Sequence, residues 1–137
     1  MIGIGFAERL AGGHRALGGL SPDRAFALDI VARPRPGRWQ LDGTLRAESI
    51  TDGAPVRGAL TREGDLLRYE LSIEGAPGLA IVGQKRLRLR DPYASLSMFS
   101  GSFCDGAREV ATIRARVDLR NEWRFCLRNL RLAMSRS

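Results

Sequence analysis

Residues 39–48 read WQLDGTLRAE, and apolar and polar side chains alternate along this stretch. Its odd positions, beginning with Trp39 and Leu41, are apolar or small, whereas its even positions, such as Gln40 and Asp42, are polar. Strict alternation of this kind is typical of a β-strand with one buried and one exposed face. The stretch therefore predicts a half-buried strand.

Similar alternation recurs along the chain, and turn-forming residues separate the alternating stretches. Besides residues 39–48, we expect strands in residues 2–10, 26–33, 56–60, 67–73, 79–91, 95–103 and 110–119. The sixth strand is expected to be the longest and to end at Asp91-Pro92-Tyr93, and a turn-rich stretch with Gly12-Gly13 is expected after the first. Short strands joined by tight turns predict an antiparallel sheet wrapped around one core.

The number of strands favours a closed barrel over a flat sandwich. An open sheet of this length would expose its edges, and closure removes them. We predict a single all-β domain over residues 1–137, built as an antiparallel up-and-down β-barrel of eight to nine strands with a short C-terminal helix. A barrel of roughly eight strands either fills its interior with side chains or holds one small ligand.

The periodicity changes after residue 119. Trp123, Leu127 and Leu130 are three and four residues apart, which is the spacing of one face of an amphipathic helix. We expect a short helix in residues 121–129 that packs across one mouth of the barrel through these side chains. Residues 130–134 either continue this helix or form a closing strand.

The charge of the chain does not by itself indicate a nucleic-acid partner. The net charge is +7, yet Lys85 is the only lysine among 22 basic residues, and the arginines are spread over the outer faces of several strands. Neither a groove-reading helix nor an aromatic platform for bases is recognisable in the sequence. We expect no specific binding to nucleic acid.

Cysteine usage and hydropathy predict a cytoplasmic protein. Cys104 and Cys126 form no C-x-x-C unit, so neither a zinc site nor a dithiol is indicated. The sequence has no apolar run long enough for a membrane span, and its first residues lack the basic and apolar regions of a signal peptide. We expect no metal and no cofactor.

Candidate catalytic groups are few. His14 is the only histidine, and it lies in the glycine-rich stretch Gly12-Gly13-His14-Arg15, where we expect a solvated loop residue. No serine or cysteine stands in a recognisable nucleophile motif. The sequence therefore assigns no catalytic residue.

Three polar residues share the apolar faces of their strands. Lys85 has the parity of Ile81 and Leu87, and Tyr69 and Glu8 likewise share the parity of the apolar residues in their strands. Because a buried polar group needs a partner, such residues are informative. They either line a cavity or lie near a barrel mouth; the simpler expectation is a mouth, where Lys and Tyr snorkel and Glu8 meets water.

Four stretches together resemble a known family of domains. They are residues 6–12, residues 24–30, the run GQKRLRLRDP in residues 83–92, and residues 118–134. They are similar to the lipocalin-like accessory domain that accompanies some bacterial glucose-methanol-choline oxidoreductases of the cholesterol-oxidase-like kind. The chain differs in having Leu10 where methionine is usual and a single aspartate before Pro92, and it has no flavoprotein part. The resemblance implies a barrel, a terminal helix and an association with sterols or acyl chains.

The leading hypothesis is a non-catalytic module that binds a small hydrophobic molecule or presents it to a partner oxidoreductase. Large side chains of shared parity form the candidate ligand-binding lining: Trp39, Leu41, Tyr69, Leu71, Ile81, Lys85 and Leu87. One alternative is a barrel cyclase or isomerase that uses Glu8 or Tyr69 as an acid. Another is a filled-core domain that binds a protein through its surface.

Overall fold

Eight antiparallel strands close into one barrel. The computed structural model describes residues 5–18, 23–88, 90 and 97–117. The strands are β1 (Phe6–Ala16), β2 (Arg24–Arg35), β3 (Arg38–Ala47), β4 (Thr51–Glu63), β5 (Leu66–Ile73), β6 (Leu79–Arg86), β7 (Met98–Asp105) and β8 (Arg108–Val117). Each strand pairs with the next one in sequence, and β8 pairs with β1. The all-β, up-and-down barrel prediction is confirmed, and the architecture is consistent with a lipocalin-like barrel.

Strand boundaries differ most from the sequence prediction in β1, β4 and β6, and β4 covers Thr51–Glu63 instead of residues 56–60. β1 does not end before Gly12-Gly13 but continues to Ala16, because the backbone there pairs with both β2 and β8. β6 ends at Arg86 and has only eight residues, whereas β4 has 13, so β6 is not the longest strand. Alternation continues beyond Arg86 in the sequence, but the strand pairing does not.

Several predictions concern residues that lie outside the described ranges. The expected start of the first strand at Ile2, the Asp91-Pro92-Tyr93 terminus, and the helix of residues 121–129 with its Trp123 contact lie outside the described residues. The two alternatives for residues 130–134 lie there as well.

Alternate residues of every strand point into the barrel and form its core. Among the described residues, the largest side chains of this core are almost completely buried. They are Tyr69, Phe99, Phe103, Leu10, Leu28, Ile30, Leu41, Leu45, Leu60, Leu71, Ile81 and Ile113. Outward-facing neighbours such as Arg46, Glu70 and Arg114 are exposed, so the period-two pattern and the burial agree.

The two ends of the barrel carry different side chains. Because neighbouring strands run in opposite directions, the start of β1 lies at the same end as the start of β5 and the end of β6. We call this the Lys85 end, since it carries Glu8, Tyr69 and Lys85. The opposite end, the His14 end, carries His14 and Phe103.

Candidate functional site

Three buried polar side chains meet inside the barrel at the Lys85 end. Lys85 Nζ donates a hydrogen bond to Glu8 Oε2 at 2.5 Å, and the Tyr69 hydroxyl donates to Glu8 Oε1 at 2.7 Å. Lys85 Nζ also lies 5.5 Å from the centroid of the Tyr69 ring, within range of a cation–π interaction. The exposed fractions are 7 % for Glu8, 1 % for Tyr69 and 3 % for Lys85. We call these residues the Glu8–Tyr69–Lys85 cluster.

Strand alternation turns each member of the cluster inward, and barrel closure brings the members together. Tyr69 and Lys85 lie on the neighbouring strands β5 and β6, whereas Glu8 lies on β1. Glu8 is 61 residues from Tyr69 and 77 residues from Lys85 in sequence. The cluster therefore crosses the barrel interior instead of following one hairpin.

The cluster balances its charges internally. Both carboxylate oxygens of Glu8 accept a hydrogen bond, and the Lys85 ammonium supplies the opposite charge. Paired charges with hydrogen bonds can be buried, but their desolvation still makes such a pair a poor source of stability compared with well-packed apolar side chains. The cluster is therefore the candidate functional site inside the barrel.

Burial raises the pKa of the Tyr69 hydroxyl well above its usual value of 10.0. The adjacent Glu8 carboxylate raises this pKa further, because it would repel a phenolate and because its hydrogen bond needs the phenol proton. Tyr69 consequently acts as a hydrogen-bond donor to Glu8 over the ordinary pH range.

The free energy of unfolding is expected to decrease at alkaline pH because the Tyr69 hydroxyl ionises less readily in the folded protein than in the unfolded chain. The folded pKa exceeds the unfolded value of about 10, so the stabilisation is complete below pH 10 and is lost progressively above it, where the unfolded chain ionises first. Urea unfolding at several pH values between about 9 and 11.5 should give a decreasing free energy of unfolding. The free energy of unfolding should decrease less steeply with pH in Tyr69→Phe than in the wild type. Equal slopes in the two proteins would show that Tyr69 is not the source of the pH dependence.

Phe99 supports Tyr69 from β7. The two rings meet edge to face with centroids 5.4 Å apart, and this arrangement is favourable between aromatic rings. Gly83, the register partner of Tyr69, has no side chain, and a Cβ at this position would overlap the Phe99 ring. The glycine thus leaves the space in which Phe99 fixes the Tyr69 ring.

All seven predicted lining residues lie on β3, β5, β6 or immediately after β6. Leu41, Leu71 and Ile81 are fully buried in the core. Trp39 is half-buried and contacts Phe6 edge to face, with ring centroids 6.3 Å apart. These positions agree with inward parity; their role in ligand binding stays a prediction.

Half-buried apolar side chains surround the Lys85 end. Leu67 is the register partner of Lys85, and Leu87 follows β6 with its N–H donating to the Asp65 carbonyl at 2.7 Å. Together with Phe6 and Trp39, they form what we call the apolar rim: Phe6, Trp39, Leu67 and Leu87. An apolar molecule that approached the cluster from this end would meet this rim.

The expectation that Glu8, Tyr69 and Lys85 lie at a barrel mouth in contact with water was wrong. Glu8, Tyr69 and Lys85 do not reach water at a mouth, because each is more than nine-tenths buried and they bind one another. Their shared inward parity was readable from the sequence. Their mutual contacts depend on barrel closure, and so the sequence did not predict that Glu8 binds Tyr69 and Lys85.

His14 is not a solvated loop residue. It lies in β1, is 5 % exposed, and its ring packs edge to face on Phe103 with centroids 5.4 Å apart. Its Nε2 donates to the Glu48 carbonyl at 3.0 Å. Phe103 also packs on Phe26, with centroids 6.0 Å apart. These contacts fill the barrel interior at the His14 end.

Arginines on the outer surface lie next to acidic side chains. Arg9 Nε is 2.6 Å from Asp29 Oδ1, and Arg15 Nε is 2.7 Å from Asp23 Oδ1. Arg86 is exposed and pairs with Asp65 at 3.6 Å, and Arg68 pairs with Glu70 at 3.4 Å. Dispersed pairs of this kind divide the positive charge into small regions.

Comparisons with known proteins found no match to a protein-family model, a curated protein or a solved structure. Among the described residues, no helix combines the length and the apolar character needed to cross a membrane. The same part of the chain contains no group of three or more His, Cys, Asp or Glu side chains placed to hold a metal ion.

Proposed function

We propose that the protein is a non-catalytic binding module for a small, mainly hydrophobic molecule of the sterol or fatty-acid-like class. The observation that carries the proposal is the buried Glu8–Tyr69–Lys85 cluster directly inside the apolar rim. Binding sites for such molecules combine apolar walls with a few polar groups that orient one end of the ligand. The rim would contact the apolar body and the cluster would bind the polar end.

Charge favours a neutral polar end. Lys85 is already neutralised by Glu8, so an ionised carboxylate would bring a second negative charge into a buried site. An ammonium group has three donor protons, and within the described part of the chain Glu8 is the hydrogen-bond acceptor of Lys85. A hydroxyl or carbonyl oxygen could accept a further hydrogen bond from Lys85 without adding charge.

The same geometry favours binding over the cyclase or isomerase alternative. Glu8 accepts hydrogen bonds at both oxygens and pairs with an ammonium, so it carries no proton of its own with which to start an acid-catalysed cyclisation or isomerisation. The raised pKa of Tyr69 likewise makes this phenol a weak acid. A protein-interaction domain with a filled core remains the second candidate, and the Phe26, Phe103 and His14 contacts favour it.

An oxidoreductase is the proposed partner, and the cytoplasm is the proposed location. The partner rests on the sequence resemblance to lipocalin-like accessory domains of bacterial oxidoreductases, and the location rests on the two widely spaced cysteines. Presentation of a bound sterol to such an enzyme would fit a module without its own catalytic groups.

Uptake of a lipophilic molecule tests the proposed function. The purified protein is extracted and analysed by mass spectrometry, and is then titrated with cholesterol, decanol and decanoic acid. We expect uptake of the two alcohols at lower concentrations than the acid. Leu87→Asp at the rim should weaken uptake about tenfold or more, which corresponds to about 1.4 kcal/mol for a charge facing an apolar ligand.

Arg88→Glu is the matched control for the rim variant. Arg88 is exposed on the opposite parity, so this variant should bind as the wild type does. Equal loss in both folded variants would refute the inside and outside assignment. No uptake of any of the three probes would favour the interaction domain.

A further inference from the structure

Lys85 is unusual in this chain because it is both the only lysine and a buried residue. All other basic residues among the 22 are arginines, and the chain uses arginine for its surface ion pairs. Arginine also serves well in buried ion pairs, since its guanidinium forms several hydrogen bonds in a fixed geometry. A lysine amine differs in one chemical respect: it can lose its proton and attack a carbonyl carbon.

We propose that the Glu8–Tyr69–Lys85 cluster is a carbonyl-capture site, in which Lys85 forms a reversible Schiff base with an apolar aldehyde. This inference rests on the proposed function, because the aldehyde must first bind inside the apolar rim. The proposed ligand is an apolar aldehyde, and its link to Lys85 is covalent, whereas simple ligand binding requires no covalent bond.

The reaction balances with the groups present. The Lys85 ammonium transfers one proton to Glu8, and its nitrogen lone pair forms a bond to the aldehyde carbon while the carbonyl π electrons move to oxygen. The proton from Glu8 and a second proton from nitrogen convert this oxygen to water, which leaves as the C=N bond forms. Protonating the leaving oxygen returns Glu8 to its carboxylate form. The third ammonium proton stays on the imine nitrogen, so the protonated Schiff base keeps the one positive charge of the ammonium. No oxidant, reductant or metal is consumed.

The cluster suits the product as well as the free lysine. An ammonium and a protonated imine carry the same charge, so Glu8, which lies 2.5 Å from Nζ, pairs with either one. The Tyr69 ring, 5.5 Å from Nζ, offers its face to both cations. Lys85 is 3 % exposed, and a site that excludes bulk water slows hydrolysis of the imine.

The surroundings favour an apolar aldehyde over a polar one. Leu67 is the register partner of Lys85, and Leu87 has the same parity two residues further along the chain. A substituent extending from the imine carbon towards the barrel end would contact these side chains. Sugars and other hydroxylated aldehydes would lose hydrogen bonds to water there without replacement.

Reductive trapping tests the proposal on the full chain. The protein is incubated with decanal and sodium cyanoborohydride, and the adduct is located by peptide mass spectrometry. Because Lys85 is the only lysine, the α-amino group is the one other primary amine and serves as an internal control. We expect Lys85 to be labelled at least about tenfold faster than the α-amino group, as expected for a bound and oriented carbonyl. Decanol should suppress the Lys85 adduct alone.

A variant with a relocated lysine provides the matched control. In Lys85→Arg/Arg86→Lys, the amine moves to the neighbouring exposed position, and decanol should no longer suppress labelling. Decanol-sensitive, preferential labelling of Lys85 in the wild type supports the proposal. Labelling of Lys85 no faster than that of the α-amino group overturns it. If decanol still binds in that case, the proposed function stands; if decanol does not bind, both fall.

Discussion

Replacing Lys85 with methionine is expected to lower the free energy of unfolding by about 3 to 5 kcal/mol, the usual effect of removing one partner of a buried ion pair. The side chain of Lys85 is 3 % exposed and that of Glu8 is 9 % exposed, so Lys85→Met leaves a carboxylate inside the barrel without its counter-charge. Urea unfolding at neutral pH measures the change.

Two further variants separate charge from packing. Arg86→Met, at the next residue, removes an exposed cation and should change the free energy of unfolding by no more than about 0.5 kcal/mol. Adding Glu8→Gln to Lys85→Met removes the orphaned charge but keeps a carbonyl acceptor for the Tyr69 hydroxyl. The double variant should therefore regain stability relative to Lys85→Met alone; a further loss would disprove the role given to the ion pair.

Replacing Gly58 with alanine is expected to destabilise the barrel by roughly 3 kcal/mol through overpacking. Gly58 lies in β4 opposite Leu71 of β5, and a Cβ at this position would overlap the carbonyl oxygen of Glu70. The obstacle is backbone in a paired strand, so it cannot rotate away as a side chain could. Relief would require separating β4 from β5 locally.

Gly53 offers the same substitution in the same strand without the obstacle. Among the described residues, no heavy atom beyond its chain neighbours lies within 4 Å of the position that its Cβ would take. Gly53→Ala should leave the free energy of unfolding within about 0.5 kcal/mol of the wild type. Similar losses for the two variants in urea unfolding would show that close strand approach is not what requires glycine at position 58.

Tertiary pairing explains where the sequence analysis failed. His14 follows two glycines, and Gly12-Gly13 is a common turn signal, yet β2 and β8 pair with this segment on both sides and hold it extended. Local turn preference is weak compared with the pairing available in a closed barrel. As a consequence, His14 faces the interior and packs on Phe103.

Residue alternation in the sequence was enough to predict the all-β fold class, most strand positions and the inward direction of Leu41, Tyr69, Ile81 and Lys85. It did so because backbone geometry forces successive side chains of a strand to opposite faces, a purely local property. The contacts of Glu8 with Tyr69 and Lys85 could not be predicted in this way, because they require closure of the sheet between β8 and β1. Parity fixes which way a side chain points, whereas the partner that it meets across the barrel depends on the register and curvature of all eight strands.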